Sequence, residues 1–110
     1  MSKITITANG TSDAVLLPTG KANLYFSGAS SLDFDSGNVT VQVNPTGDGG
    51  YQDLKQMYID SGTMKWATAM VDGTNNGPIA VRAEPNSYLQ FVTASVASAA
   101  DVVVHINHVE

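Results

Sequence analysis

His105 and His108, eight aspartates and two glutamates are the imidazole and carboxyl groups of this chain, the side chains best suited to hold a metal or to move a proton near neutral pH. The two histidines are three residues apart. On a strand, that spacing turns them to opposite faces, so they cannot chelate one ion together. A symmetry axis could still gather His105 from several chains. Asp33-Phe34-Asp35-Ser36-Gly37-Asn38 alternates carboxylates as the opening of a calcium loop does. Its glycine comes one place early for an EF-hand and no glutamate follows at the twelfth position. Asp33 and Asp35 are therefore the one calcium candidate, set against a plain strand end running into a Ser-Gly turn, and no other metal or cofactor is expected. Asp48 stands alone among Gly47, Gly49 and Gly50, where it reads as capping its own backbone while the chain reverses.

Covalent chemistry finds less to use. Ser30 and Ser31 have no histidine near them in sequence, and no GxSxG elbow is present. Glycoside hydrolysis needs two converging carboxylates. Here the glutamates are Glu84 and Glu110, and most aspartates fall in turns. Enzymatic activity is not expected. The remaining candidates are exposed aromatic and imidazole groups suited to an interface: Tyr25, Tyr51, Tyr58, Tyr88 and His105. Tyr25 and Tyr88 lie opposite the apolar set of their own runs, where they could equally cover the second face of a sheet.

The elements that must carry these residues are strands. Period-two alternation recurs from end to end. It is seen in Ile4 and Ile6, in Ala22, Leu24 and Phe26, in Val39, Val41 and Val43, and in Ile79, Val81 and Ala83. Leu89 and Phe91, and Val102, Val104 and Ile106, continue it. Val15 to Leu17 form a short run stopped by Pro18. Met64, Trp66, Thr68 and Met70 share one face, with Ala67, Ala69 and Val71 on the other, so residues 64–71 read as a strand covered on both sides. Trp66 then reads as core. Tyr51 to Ile59 places Leu54, Met57 and Tyr58 at i, i+3, i+4, which suits one or two helical turns, although Met57 to Asp60 could equally be strand. Thr93 to Ala100 reads as a connection. Turn signals separate the runs: Asn9-Gly10, Thr19-Gly20, Ser36-Gly37, Gly47 to Gly50, Ser61-Gly62, Asp72-Gly73 and Asn75-Asn76-Gly77. Short strands and frequent turns predict an all-β fold: an antiparallel, jelly-roll-like β-sandwich of about eight strands.

Length and composition agree. A chain of 110 residues has the size of one domain, taken as 1–110. Charged residues make up 14%, below the usual ~25%. Five cations against ten acids give a net charge of −5, which disfavours nucleic acid and an anionic membrane as partners. No cysteine is present, so packing and hydrogen bonds must stabilise the fold, as suits folding in a reducing cytosol. The start MSKITITANG lacks a signal-peptide apolar region, and no run approaches the length of a membrane span. Without a secretory signal, the sequons at Asn9 and Asn38 read as turn and strand residues.

The order SLDFDSGNVTVQVNPTGDGGYQDL, a short strand, then PIAVRAEPNSYLQFVTASVASAADVVVHI resembles a pattern among small virion accessory proteins of tailed bacteriophages. There, a Gly-x-Val-Thr-Val-Gln-Val strand enters a Gly-Asp-Gly-Gly turn followed by an aromatic. Later come a proline-bounded strand with an arginine, here Arg82, and a Ser- and Ala-rich loop before a last valine-rich strand. The likeness covers residues 32–106. It implies a capsid decoration (cement) or tail-fibre protein, made in the host cytoplasm and located in the virion. It also implies a homo-oligomer, with a trimer favoured, bound to a major capsid or tail protein. The alternative is a carbohydrate-binding module that stacks sugars on Tyr51, Tyr58 or Trp66.

Overall fold

Each alternating run becomes a strand, because a period of two gathers one set of side chains on a face that can be buried. A computed structural model describes residues 2–6, 9–27, 38–45, 50–71, 78–94 and 102–110. Its strands are β1 (Ser2–Ile6), β2 (Gly10–Thr11), β3 (Val15–Leu17), β4 (Lys21–Ser27), β5 (Asn38–Asn44) and β6 (Gln52–Asp53). They continue as β7 (Lys55–Asp60), β8 (Thr63–Thr68), β9 (Met70–Val71), β10 (Ile79–Arg82), β11 (Ser87–Ala94) and β12 (Val102–His108). Every pairing is antiparallel.

The fold is the expected antiparallel β-sandwich, with twelve strands among the described residues in place of about eight. One sheet, sheet A, has the order β1-β12-β4-β10. The facing sheet B is built on β11 and β5, paired over seven residues from Tyr88–Asn44 to Ala94–Asn38. The surplus strands have a physical origin. β2 and β3 both pair with β11, so they divide one edge of sheet B between them. Ser12 fills the break: its amide donates to the Phe91 carbonyl and its hydroxyl accepts from the Phe91 amide, each at 2.9 Å. β6 and β9 divide the opposite edge, along β5. The last two strands, β7 and β8, form a sheet of their own.

The core lies between sheets A and B. Ala22, Leu24, Ile79, Val81, Val104 and Ile106 meet Leu17, Val39, Val41, Val71, Leu89 and Phe91, all buried. Phe26 of sheet A meets Phe91 of sheet B edge to face, with ring centroids 6.1 Å apart. Each valine, leucine, isoleucine or phenylalanine among them contributes about 1.5–3 kcal/mol by leaving water.

Two expectations need correction. Residues 51–59 form no helical turn: Gln52–Asp53 and Lys55–Asp60 are strands, because the backbone of this segment pairs with β5 and then with β8. Residues 64–71 are not covered on both sides: only Ala69 and Val71 are buried, and Met64 to Ala67 are exposed. Asp33, Asp35, Ser30, Ser31, Asp48, the turns at Ser36-Gly37, Gly47–Gly49, Asp72-Gly73 and Asn75-Asn76-Gly77, and the connection after Ala94 lie outside the described residues.

The turn at Gly20 joins β3 to the start of β4 and ties both to the segment that follows β10. Gly20 has φ +75°, its amide donates to the Leu17 carbonyl at 3.0 Å, and its carbonyl accepts from the Ala83 amide at 2.8 Å. A Cβ here would fall 2.3 Å from the Glu84 carbonyl oxygen and 2.4 Å from that of Ala83. Both contacts are backbone, so neither can swing away. Gly20→Ala is therefore expected to lower stability by roughly 2 kcal/mol or more, read as a drop in the denaturant midpoint at unchanged m-value. An unchanged midpoint would show that this turn is not the tight junction described.

Candidate functional site

The β7–β8 hairpin leaves sheet B through a neck at Val41. On one side of it β5 pairs with β6, and on the other with β9. Between them the Leu54 amide donates to the Val41 carbonyl at 2.9 Å, and the Val41 amide donates to the Ala69 carbonyl at 3.0 Å. The Ala69 amide closes the neck on the Leu54 carbonyl at 2.7 Å. Ala69 is buried and Leu54 packs against the core, so the neck is anchored by apolar contact as well.

Beyond the neck, the strands pair in register from Lys55–Thr68 to Asp60–Thr63. Ser61 and Gly62 both have positive φ, +52° and +81°, the backbone of a two-residue type I′ turn. Directly paired residues share a face. Met57 with Trp66 and Ile59 with Met64 therefore form one apolar quartet, while Tyr58 with Lys65 and Gln56 with Ala67 occupy the other face. Lys65 Nζ meets Asp60 Oδ2 at 2.9 Å on that polar side, and Lys55 Nζ donates to Thr68 Oγ1 at 2.9 Å at the base. The quartet has no cover: Met57 is 51% exposed, Met64 60%, and Ile59 and Trp66 63% each. Trp66 was expected in the core; it lies in water because the alternation of β8 builds a hairpin face and not a layer of the sandwich.

The expected interface residues are not brought together. Tyr25 and His105 are register partners on the outer face of sheet A, in a row with Lys3. Tyr88 is on the outer face of sheet B, half-buried, paired with Leu16 and Asn44. Tyr51 precedes β6, and Tyr58 is on the polar face of the hairpin. His108 lies near the end of β12, lining a hollow of about 370 Å³ with Leu16, Pro18, Thr19, Val109 and Glu110. No group of three metal-ligating side chains occurs among the described residues. Met57, Ile59 and Met64 escaped the sequence reading. Their signal was the alternation on either side of Asp60-Ser61-Gly62-Thr63, which is a hairpin pattern.

Charge divides along the same lines. The four strands of sheet A hold Lys3, Lys21 and Arg82 and none of the ten acids. Lys21 is directly opposite Arg82, an arrangement that costs a few tenths of a kcal/mol or more between like charges. The other two cations, Lys55 and Lys65, are on the hairpin. Among the described residues, the chain thus presents a sheet face whose charged side chains are all cations and an apolar hairpin face, and Asp60 is the one acid on either element.

No protein family matches the chain, and no curated protein or solved structure does so either.

Trp66 is the only tryptophan, so intrinsic fluorescence reads the hairpin directly. In dilute solution its emission is expected to be that of a water-exposed indole, fully open to acrylamide quenching. A blue-shifted, unquenched emission would place Trp66 under cover and remove the apolar face.

Proposed function

We propose that the chain is a structural protein of a tailed-phage virion, a capsid decoration or tail accessory module that works by adhesion and not by catalysis. The observation that carries the reading is the uncovered quartet of Met57, Ile59, Met64 and Trp66. Patches of this kind on soluble proteins mark interaction sites, and tryptophan in the middle of one is the residue type most enriched among binding hot spots. Its partners are other virion proteins, with the apolar face as the adhesive element and the strands of sheet A, which carry Lys3, Lys21 and Arg82 and no acid, suited to an acidic neighbour. The likeness of residues 32–106 to small virion proteins supplies the setting.

The test is binding of the purified chain to phage heads and tails stripped of accessory proteins. Wild type is expected to co-sediment with one of them. Ile59→Lys and Trp66→Ser are expected to weaken binding at least tenfold, since each removes about 1.5–3 kcal/mol of apolar burial. Binding that is absent, or indifferent to both changes, would remove the reading. The exposure of Trp66 favours a second reading, a carbohydrate-binding module, because an open indole on a flat hairpin face can stack on a sugar ring. A glycan array with no Trp66-dependent signal would exclude it.

A further inference from the structure

We infer that the apolar face of the β7–β8 hairpin is covered by the same face of a second copy, the two hairpins lying antiparallel about a two-fold axis. This pairing rests on the adhesive reading of that face: in the free chain a second copy occupies it, and a virion partner must displace that copy. Three features carry it: charge, the sizes of the two apolar rows, and area.

Two chains of net charge −5 repel, so they meet best where net negative charge is low and apolar area is exposed. The hairpin combines the two. Residues 55–68 hold Lys55, Lys65 and Asp60, a net of +1 from two lysines and one aspartate, and Asp60 is tied to Lys65. An antiparallel arrangement also keeps the two acidic bodies at opposite ends of the stacked hairpins, whereas a parallel one sets them side by side.

The quartet is built in two rows. Met57 and Trp66 form the row nearer the neck, and Ile59 and Met64 the row nearer the tip. With the hairpins reversed, each neck row lies on the partner's tip row. Met57 then faces Ile59 and Trp66 faces Met64, so that an indole meets a thioether, a favourable contact. The two sheets stack about 10 Å apart, as in any face-to-face β packing. A three-fold assembly would instead point all hairpins one way, gathering Lys55 on Lys55 and the acidic bodies on one side. The two-fold is thus a different assembly from the trimer expected from the sequence.

The area sets the strength. Four side chains at these exposures present roughly 450 Å² on each copy, the size of the largest patch on a typical monomer. Opposing two copies removes roughly 900 Å² from water, below the ~1,200 Å² of standard specific interfaces. The dimer should be reversible, with a dissociation constant on the order of micromolar.

The experiment is sedimentation velocity of the full chain over a concentration series, at low and high salt. A monomer–dimer equilibrium is expected, tightening as salt screens the acidic bodies. Trp66→Ser and Ile59→Lys should weaken it at least a hundredfold, while Tyr58→Ser, on the polar face, should leave it unchanged. Far-UV circular dichroism checks that each variant retains the sandwich. Because the chain has no cysteine, M57C and I59C can test the orientation with Trp66 intact. With an added oxidant, the mixture of the two variants should cross-link faster than either alone. A monomer up to about 1 mM, a trimer, a dimer indifferent to Trp66 and Ile59, or no preference for the mixed cross-link would each overturn the pairing. A dimer that binds no phage particle leaves the pairing standing and removes the virion reading. A strict monomer that still binds particles does the reverse.

Discussion

A β-strand has two needs: partners for its backbone groups and a cover for its apolar face. In this chain the junction at Val41 separates the two. The bonds from Leu54 to Val41, from Val41 to Ala69 and from Ala69 to Leu54 let a hairpin leave the edge of sheet B with the backbone still paired at its root. β7 and β8 then satisfy each other's backbone along their length, yet their apolar quartet stays in water. A lone two-stranded hairpin is only marginally stable, so the neck must hold it. Buried Ala69, with Val71 just beyond it, anchors one leg, and Leu54 the other.

The sandwich beneath behaves as a platform. Its interior is closed by Phe91 and Phe26 and by the valine rows of β5 and sheet A, and no buried side-chain polar atom among the described residues lacks a partner. On its outer faces it carries polar ladders, such as Gln90 to Gln42 to Asp53 at 2.6 and 2.9 Å. These amide and carboxylate rows satisfy one another across strands. The contrast with the hairpin is sharp: among the described residues, large exposed apolar groups on the sandwich are few, Leu16 and Tyr25, and the rest are concentrated on the projection. The segregation of cations to sheet A and the hairpin adds a second asymmetry in a chain that is acidic as a whole.

Much of the platform was legible in the sequence. Val39 and Val41, Leu89 and Phe91, and Ala22 and Leu24 alternate with polar residues, and each is buried as a period of two requires. The hairpin was half legible. Its turn, Ser61-Gly62, was visible, but the apolar positions on either side were assigned to other structures. Leu54, Met57 and Tyr58 match a helical spacing by coincidence: Leu54 serves the neck, Met57 the apolar face and Tyr58 the polar one. Trp66 was read as core because alternation reports which residues share a face and not whether another layer covers it. That depends on β5 exchanging one edge partner for another at Val41, a long-range pairing no local pattern records. The strand count was low for the same reason, since the two edges of sheet B are each shared by two short strands.

Amide hydrogen exchange, followed in the dilute chain and again in the proposed assembly, tests the central claim most directly. Amides of β5 and β11 should be slow in both. Those of residues 56–59 and 64–67 should exchange far faster than β5 in the dilute chain, because a hairpin without a second layer opens locally at little cost, and should slow markedly once its apolar face is covered. Hairpin amides as protected as β5 in the dilute chain, or unchanged on assembly, would contradict an exposed adhesive projection.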